Sequence, residues 1–351
     1  MRSLAVLLLA LPGCGIAEPD FLAFATGSVY QSTSGTVTSN GGLTAVAVWT
    51  SDSPVDGADN VWITFERVSL VRDGRETVLS NQRRTLDMLA LQHGIRRQLA
   101  EGDVPPGTYD TVRIELATSG GLTHWVVANG EAHELVLAPG ARPVLEFPAE
   151  YRLRPDEELE LQVDFNVRLS IYEAGGVWYL DPTGFMHDPL NAGAIDGTAL
   201  PAGSVISAQR EGEEFASAKS GPDGYFKLTP IEAGTYDLVV TRSGSAPAFR
   251  PRVRVAPKVT TGGQHFLLAP APPGSIQGDY LAVYSPGLTI RLVWNGSFIG
   301  FAGVDPYTGR FAFPAVPPGI LEVEAWDSVG PLGKRQNILV ESDFESLLQF
   351  R

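Results

Sequence analysis

The sequence predicts an all-β protein composed of several β-sandwiches, and three observations support this class. Short runs rich in Val, Ile, Thr, Tyr, Phe and Trp alternate apolar and polar residues, as strands with one buried face do. Turn-forming residues separate these runs, since the chain contains 38 glycines and 26 prolines. A pattern of glycine and aromatic residues also occurs twice towards the C-terminus. The 351 residues leave room for two or three domains.

The N-terminus has the features of a secretory signal. Met1-Arg2-Ser3 supplies one positive charge, and the apolar core "LAVLLLAL" follows it. A membrane-spanning helix needs about 20 apolar residues, so this core is too short to span a bilayer and matches a signal peptide instead. The single cysteine of the chain, Cys14, comes directly behind it.

Leu11-Pro12-Gly13-Cys14 resembles the bacterial lipobox, a leucine and two small residues before a cysteine. The resemblance implies that residues 1–14 are a lipoprotein signal and that Cys14 is acylated and anchors the protein to a membrane. Each buried CH₂ of an acyl chain contributes about 0.8 kcal/mol, so several chains anchor firmly. Gly15 stands where an aspartate would retain a lipoprotein at the inner membrane. The implied location is the bacterial outer membrane or cell surface, with the periplasmic face as an alternative.

Residues 15–40 are rich in Ser, Thr and Gly and are interpreted as a tether, with one added strand as an open alternative. Residues 43–50 and 61–71 then predict two strands. In the second, Val61, Ile63 and Phe65 alternate and are expected to face a core. A turn follows at residues 72–75.

The stretch "TLDMLALQHGIRRQLAE", residues 85–101, interrupts the strand pattern. Its leucines suit a short helical insertion with a break at Gly94. Strands are predicted again beyond the turn "VPPGTY". They are expected at residues 110–117, 123–128, 134–138, 143–147, 158–171 and 177–182.

This first β region, residues 41–190, resembles a family of bacterial lipoprotein domains of unknown function, DUF4382. Four ordered blocks carry the resemblance: "SDSPVDGADNVWITFERVSL", "LDMLALQHG", "LAEGDVPPGTYDTVRIEL" and "LQVDFNVRLSI". The resemblance implies an all-β domain on an extracytoplasmic lipoprotein, and it implies no activity.

An internal repeat occupies the rest of the chain. "GAIDG" opens at Gly193, and "GSIQG" opens 81 residues later at Gly274. Each opening is followed by a glycine, an aromatic residue, a second glycine and an aliphatic residue at identical internal spacing. These are Gly224, Phe226, Gly234 and Leu238 in the first unit, and Gly309, Phe311, Gly319 and Val323 in the second. The glycines are expected in tight turns and the aromatic residues in the core.

Units of this kind resemble carboxypeptidase regulatory-like domains, which are small prealbumin-like or Ig-like β-sandwiches grouped with carbohydrate-binding-like folds. The resemblance implies one sandwich over residues 191–270 and a second, divergent one over residues 271–351. In the second unit a longer loop, "DYLAVYSPG", follows the opening.

Charge and cysteine content exclude several classes of function. The chain carries 26 basic and 40 acidic residues and a net charge of −14, which repels nucleic acid unless a basic patch is segregated on one face. Nucleic acid is therefore not an expected partner. One cysteine cannot form an intramolecular disulfide or a four-cysteine zinc site.

The best candidate metal site is one acidic loop that contains Asp52, Asp56, Asp59 and Asn60. Calcium favours several oxygen ligands in such a loop. The competing interpretation is that these side chains cap their own turns, and no cofactor is required.

Histidines provide two weaker metal candidates. His124 and His133 could meet across a hairpin, although His133-Glu134 lacks the second histidine of a helix-borne zinc site. Asp181, His187 and Asp188 share a second loop.

Tryptophans are candidates for stacking on sugars. Trp294, beside the turn "NGS", is the one expected to be most exposed, whereas Trp62 and Trp326 lie in alternating strands and are expected in cores.

No nucleophile elbow or phosphate-binding glycine motif occurs in the sequence. The leading hypothesis is a non-enzymatic, lipid-anchored extracytoplasmic protein with a structural or binding role towards a surface protein or polysaccharide. The alternative is a carbohydrate-binding surface module. A hydrolase that uses loop carboxylates is a third possibility, without support from residue spacing.

Overall fold

The computed structural model describes residues 29–33, 41–52, 57–92, 94–282, 284–285, 287–327 and 330–350. Within these ranges the chain is built almost entirely of β-strands, which fall into three modules of two sheets each. None of the helices in this part of the chain is long and apolar enough to cross a bilayer. The predicted all-β class is confirmed.

The N-terminal module consists of strands β1–β14. They are β1 (Val29–Gln31), β2 (Thr44–Asp52), β3 (Asn60–Arg72), β4 (Arg75–Ser80), β5 (Arg84–Asp87), β6 (Arg97–Val104), β7 (Gly107–Leu116), β8 (Trp125–Ala128), β9 (Glu131–Leu137), β10 (Val144–Leu153), β11 (Glu158–Phe165), β12 (Ile171–Ala174), β13 (Val177–Leu180) and β14 (Gly184–His187). A 3-10 helix spans Met88–Leu91, and helix α1 spans Val167–Ser170.

Two sheets enclose the core of this module. The larger one has the order β1-β10-β7-β3-β8-β9-β13-β12, with β4 and β5 also paired to β3, and the smaller one has the order β14-β11-β2-β6. Val61, Ile63 and Phe65 of β3 point into the core as predicted and are at most 2% exposed. Phe65 meets Phe165 of the opposite sheet edge to face, with ring centroids 5.9 Å apart, an arrangement that aromatic pairs favour.

The helical insertion predicted over residues 85–101 is present only as the four-residue 3-10 helix. The first and last residues of this helix, Met88 and Leu91, are buried in the core. The second half of the prediction is wrong, because β6 pairs antiparallel with β2 along its whole length. Leu99 and Val104 are buried by that pairing, and burial in a sheet outweighs the weak helical preference of the segment.

The strand predicted over residues 158–171 is also interrupted. Asn166 ends β11 and caps α1, because its side-chain oxygen accepts a hydrogen bond from the Leu169 amide at 3.0 Å. The Ser170 hydroxyl donates to the Asn166 carbonyl at 2.6 Å. This single helical turn redirects the chain towards β12.

Trp62 does not lie in the core, contrary to prediction. Side chains alternate across a strand, so Trp62 is on the opposite face from Val61 and Ile63. It is half-buried and stacks on Trp125 of β8 with centroids 5.4 Å apart. Trp326, in contrast, is 7% exposed and buried as predicted.

The middle and C-terminal modules share one strand order. The middle module contains β15 (Ala192–Leu200), β16 (Val205–Arg210), β17 (Glu213–Lys219), β18 (Tyr225–Glu232), β19 (Gly234–Thr241), β20 (Ala248–Val255) and β21 (Thr260–Leu267). The C-terminal module contains β22 (Gly274–Tyr280), β23 (Thr289–Trp294), β24 (Ser297–Gly303), β25 (Arg310–Val316), β26 (Gly319–Trp326), β27 (Pro331–Val340) and β28 (Glu345–Phe350). The sheets are β18-β15-β21 with β17-β16-β19-β20, and β25-β22-β28 with β24-β23-β26-β27.

The second glycine of each opening motif, Gly197 in "GAIDG" and Gly278 in "GSIQG", occupies a position where a side chain would collide with backbone. A Cβ on Gly197 would overlap the carbonyl of Gln264, and one on Gly278 would lie 2.7 Å from that of Leu348. Each glycine also pairs across the sheet with the repeated aromatic residue of its unit, Gly197 with Phe226 and Gly278 with Phe311. At Gly278 an added Cβ would overlap the Phe311 ring, so the missing side chain leaves room for that ring.

The outer strands β20 and β27 are both bulged at the same point of the repeat. Two residues of each outer strand oppose one residue of the inner neighbour, at the register shifts Tyr236/Leu238 and Leu321/Val323. The extra residues include Arg252 and Asn337, and both have a φ of 56°. A positive φ in a non-glycine residue bends the strand locally.

We expect the substitutions Gly197→Ala and Gly278→Ala to destabilise the protein by about 1–3 kcal/mol each, because overpacking against fixed backbone forces the strands apart. Denaturant unfolding measures this loss.

Gly333→Ala is the matched control. Gly333 lies in β27 with nothing within 4 Å of its added Cβ. Equal stability losses for Gly278→Ala and Gly333→Ala would contradict the packing explanation.

Candidate functional site

Several predicted site residues lie outside the described residues. Cys14 and Asp56 are among them, as is the side chain of Asp52. Asp59 accepts a hydrogen bond from the Gly130 amide at 3.3 Å. The side-chain amide of Asn60 donates to Asp87 at 2.7 Å, so both side chains bond other segments of the chain rather than capping their own turn. Calcium binding at this loop stays a prediction.

The structure does not join the predicted histidine candidates into a metal site. Both ring nitrogens of His124 are engaged: Nδ1 accepts from the Thr64 amide at 3.2 Å, and Nε2 lies 2.9 Å from the Ala117 carbonyl. Burial lowers the pKa of His124. Among the described residues, no three His, Cys, Asp or Glu side chains are placed to share a metal ion.

Trp294 is half-buried at the end of β23 and packs against the core of the C-terminal module. The adjoining hairpin turn abuts the middle module, since a Cβ on Gly212 would lie 2.8 Å from the Gly296 carbonyl. The glycan-stacking role of Trp294 stays a prediction.

The three modules meet at a buried ion pair. Arg168 of α1 contacts Glu214 of β17, and these side chains are 11% and 1% exposed. Asn166 also donates to Glu214 at 3.3 Å, and Arg168 donates to the Ile299 carbonyl of β24 at 3.3 Å. One arginine thereby joins elements of all three modules.

Polar contacts extend this junction between the middle and C-terminal modules. Gln209 is 1% exposed, and its amide mimics a strand partner of Phe298. It donates to the Phe298 carbonyl at 2.6 Å and accepts from the Phe298 amide at 3.0 Å. Nη1 of Arg291 donates to both carboxylate oxygens of Glu213, at 3.0 and 2.9 Å, and the charges strengthen these bonds.

A cavity of about 360 Å³ lies beside the junction, between the N-terminal and middle modules. This volume is in the range of small-molecule sites, about 300–1,000 Å³. Its walls are β10 with Tyr30, the outer strand β14, and β17 to β19. Phe185 of β14 and Phe215 of β17 stack across the boundary with centroids 6.2 Å apart.

Three tyrosines line the cavity, but their hydroxyls are already used. Tyr30 donates to the Met186 carbonyl at 3.1 Å, and Tyr151 to the Phe147 carbonyl at 2.9 Å. The hydroxyl of Tyr236 donates to a backbone carbonyl in the same way. Burial raises the pKa of Tyr236 to about 12. These rings therefore contribute mainly apolar surface.

His187 is the polar group of the cavity without a partner. It is 4% exposed, and neither ring nitrogen has a hydrogen-bond partner among the described residues. Burial lowers its pKa to about 4, so the imidazole is neutral near pH 7. Leaving a buried polar group unpaired costs about 1–3 kcal/mol.

The carboxylates around the cavity are balanced by arginines. The pairs are Glu146 with Arg113 and Arg142, Glu213 with Arg291, and Glu214 with Arg168. The fourth carboxylate, Glu232, has its pKa raised by burial and lowered in part by nearby Arg210. The cavity is therefore close to electrically neutral.

Neither the ion pair nor the cavity has a recognisable motif in the sequence. Arg168 and Glu214 are 46 residues apart and share no motif. The one available signal is Asn166, a favoured helix-capping residue that marks α1. His187 is predicted from the sequence to share a candidate metal-binding loop with Asp181 and Asp188. In the structure it lines the cavity. Asp188 instead accepts hydrogen bonds from Leu190 and Asn191 in the adjoining turn.

Comparison with known protein families gives a match within the N-terminal module. Residues 44–182 match the model of a family described as "Domain of unknown function (DUF4382)". None of the curated proteins matches the chain.

Solved structures give weak similarities. The Bacillus anthracis TIE protein is 11% identical with a TM-score of 0.20, over 87% of this chain and 57% of that one. A type II cohesin–X-dockerin complex from Acetivibrio cellulolyticus is 17% identical with a TM-score of 0.20, over 22% of this chain and 58% of that one. GBS52, a minor pilin of Streptococcus agalactiae, is 9% identical with a TM-score of 0.19, over 45% of this chain and 94% of that one.

This chain thus spans somewhat more than half of the first two structures. TM-scores below 0.5 do not establish a shared fold, so the architecture rests on this chain's own strands.

We expect Arg168→Met to destabilise the protein by about 3–5 kcal/mol, because it leaves the Glu214 carboxylate buried without its cation. Denaturant unfolding measures the loss, and X-ray scattering should show a larger radius of gyration.

The double variant Arg168→Met/Glu214→Leu should recover most of the stability. Arg152→Ala, which removes an exposed pair with Glu150, is the control and should have no measurable effect. An Arg168→Met protein as stable as this control would contradict the role of the ion pair.

Stability should fall with acidity because of His187. Its pKa in the folded protein lies below the ordinary value of 6.5, so the unfolded chain binds the proton more readily. The contribution is fully present above about pH 6.5, and about 2–3 kcal/mol is lost as the pH falls towards 4.5.

Urea unfolding of the wild type and of His187→Leu at the two pH values isolates this effect. Asp181, whose pKa is raised by burial, acts in the opposite direction but equally in both proteins. Identical pH dependence of the two proteins would refute the assignment.

Proposed function

We propose that this chain is a non-enzymatic, extracytoplasmic protein that is anchored to the bacterial outer membrane or cell surface through acylated Cys14. Its role is structural or in binding: it presents a DUF4382 domain and two small sandwiches as one rigid body. Here the proposed domains are residues 41–190, 191–270 and 271–351, behind a signal at 1–14 and a tether at 15–40.

The observation that carries this proposal is the three-module junction. Flexibly linked domains move independently unless their interface is large and well packed. The contacts of Arg168, Glu214 and Gln209 bury polar groups that are paired only while the modules are docked. A rigid assembly suits a protein that presents its three modules in one fixed arrangement beyond the tether.

The repeat supports assigning the second and third domains to the carboxypeptidase regulatory-like class. Both modules have a three-stranded and a four-stranded sheet in the same order, with β15 and β22 each between one antiparallel and one parallel neighbour.

We expect Cys14→Ala to release the protein from the membrane fraction, because the acylated sulfur is lost. Fractionation of cells and metabolic labelling with palmitate measure this change.

Gly15→Asp is the matched comparison. It keeps the cysteine and should move the labelled protein from the outer to the inner membrane. Unchanged membrane association of Cys14→Ala would overturn the anchor.

A further inference from the structure

We propose that the cavity between the N-terminal and middle modules binds a small, uncharged, mainly apolar molecule with one hydroxyl or carbonyl group, and that His187 is its hydrogen-bonding partner. This ligand-binding activity goes beyond the proposed structural role and does not depend on the membrane anchor.

The apolar requirement follows from the walls. Phe147, Pro148 and Ala149 come from β10, Phe185 from β14 and Phe215 from β17. The tyrosine hydroxyls on the floor are turned to backbone carbonyls, so the rings present carbon to the cavity. Apolar walls with few polar groups are typical of small-molecule sites.

The presence of His187 is the reason for expecting one polar group on the ligand. A neutral imidazole has one donor and one acceptor nitrogen, and both are unpartnered here. A hydroxyl can pair with either nitrogen, and a carbonyl can pair with the donor. A ligand with such a group would satisfy a buried side chain that the protein leaves unsatisfied.

The neutral charge follows from the pairing of the carboxylates. Glu213 and Glu214 are neutralised by arginines of the other modules, so they do not attract a cation. An anion would be placed among carboxylates and a neutral imidazole, and Arg210 at the wall already donates to the Tyr236 hydroxyl and lies over the Phe215 ring. Burying an unpaired charge is costly, so charged ligands are disfavoured.

The cavity is open to entry on one side. Its floor, including Tyr151, Met186 and His187, is buried, whereas Pro148, Ala149 and Pro182 at its rim are half-buried. A ligand can therefore enter past the rim without separation of the modules. Both ring nitrogens of His187 are covered in this structure, so the imidazole has to rotate about its side-chain bonds before it can bond to that ligand.

Naphthalene and three of its derivatives test the proposal on the purified full-length protein by calorimetry. We expect 2-naphthol to bind at one site and naphthalene to bind about tenfold more weakly, since it lacks the hydrogen bond. Neither 2-naphthoate nor 2-naphthylmethylammonium should bind comparably. Absence of 2-naphthol binding, equal affinity for naphthalene, or tighter binding of a charged probe would overturn the proposal.

Two variants assign the site. His187→Leu should bind 2-naphthol and naphthalene equally, and Ala149→Leu, which fills the rim, should lose both. Lys334→Ala, on the exposed strand β27 of the C-terminal module, is remote from the cavity and should bind as the wild type does. If His187→Leu does not fold, the imidazole resonances of His187 in the wild type decide: they should shift on addition of 2-naphthol. Unshifted resonances, or binding retained in Ala149→Leu, would place the site elsewhere and overturn the proposal.

Discussion

Arg168 and Glu214 belong to different modules, and each would be a buried, unpaired charge if the other moved away. Removing either side chain alone leaves the other as a desolvated ion, so the docked interface accommodates both charges or neither. The cavity depends on this docking, because β17 supplies both Glu214 to the ion pair and Phe215 to the cavity wall. The C-terminal module depends on it too, through the bond from Arg168 to Ile299.

Strand alternation and turn chemistry predicted most of the fold because both are local. Val61 and Ile63 face the core as their spacing requires, and Gly224 and Gly309 follow turns with φ of 82° and 73°. The failures have one cause. β6 is a strand because β2 lies beside it, and α1 forms where Asn166 caps a turn between two sheets. The secondary structure of these two segments depends on partners distant in sequence, and no local sequence pattern predicts those partners.

The candidate site was less predictable for the same reason. Residue type directed attention to acidic loops and to Trp294, whereas the cavity is assembled from strands of two modules, with no characteristic spacing. The sequence places His187 with Asp181 and Asp188 in one loop, and only the three-dimensional structure separates their roles. A buried imidazole without partners becomes visible only when every neighbour is known. The residue type of His187 therefore does not predict that its ring nitrogens lack hydrogen-bond partners among the described residues.

The bulges at Arg252 and Asn337 have a consequence for contacts between copies of this protein at high concentration. An outer strand with a straight run of free amides and carbonyls is a template onto which another copy can add, and lateral zipping of this kind leads to aggregates. The bulges bend β20 and β27 out of the plane that such growth requires. Both repeat units carry the kink at the same place, so dense packing of many molecules side by side remains compatible with solubility.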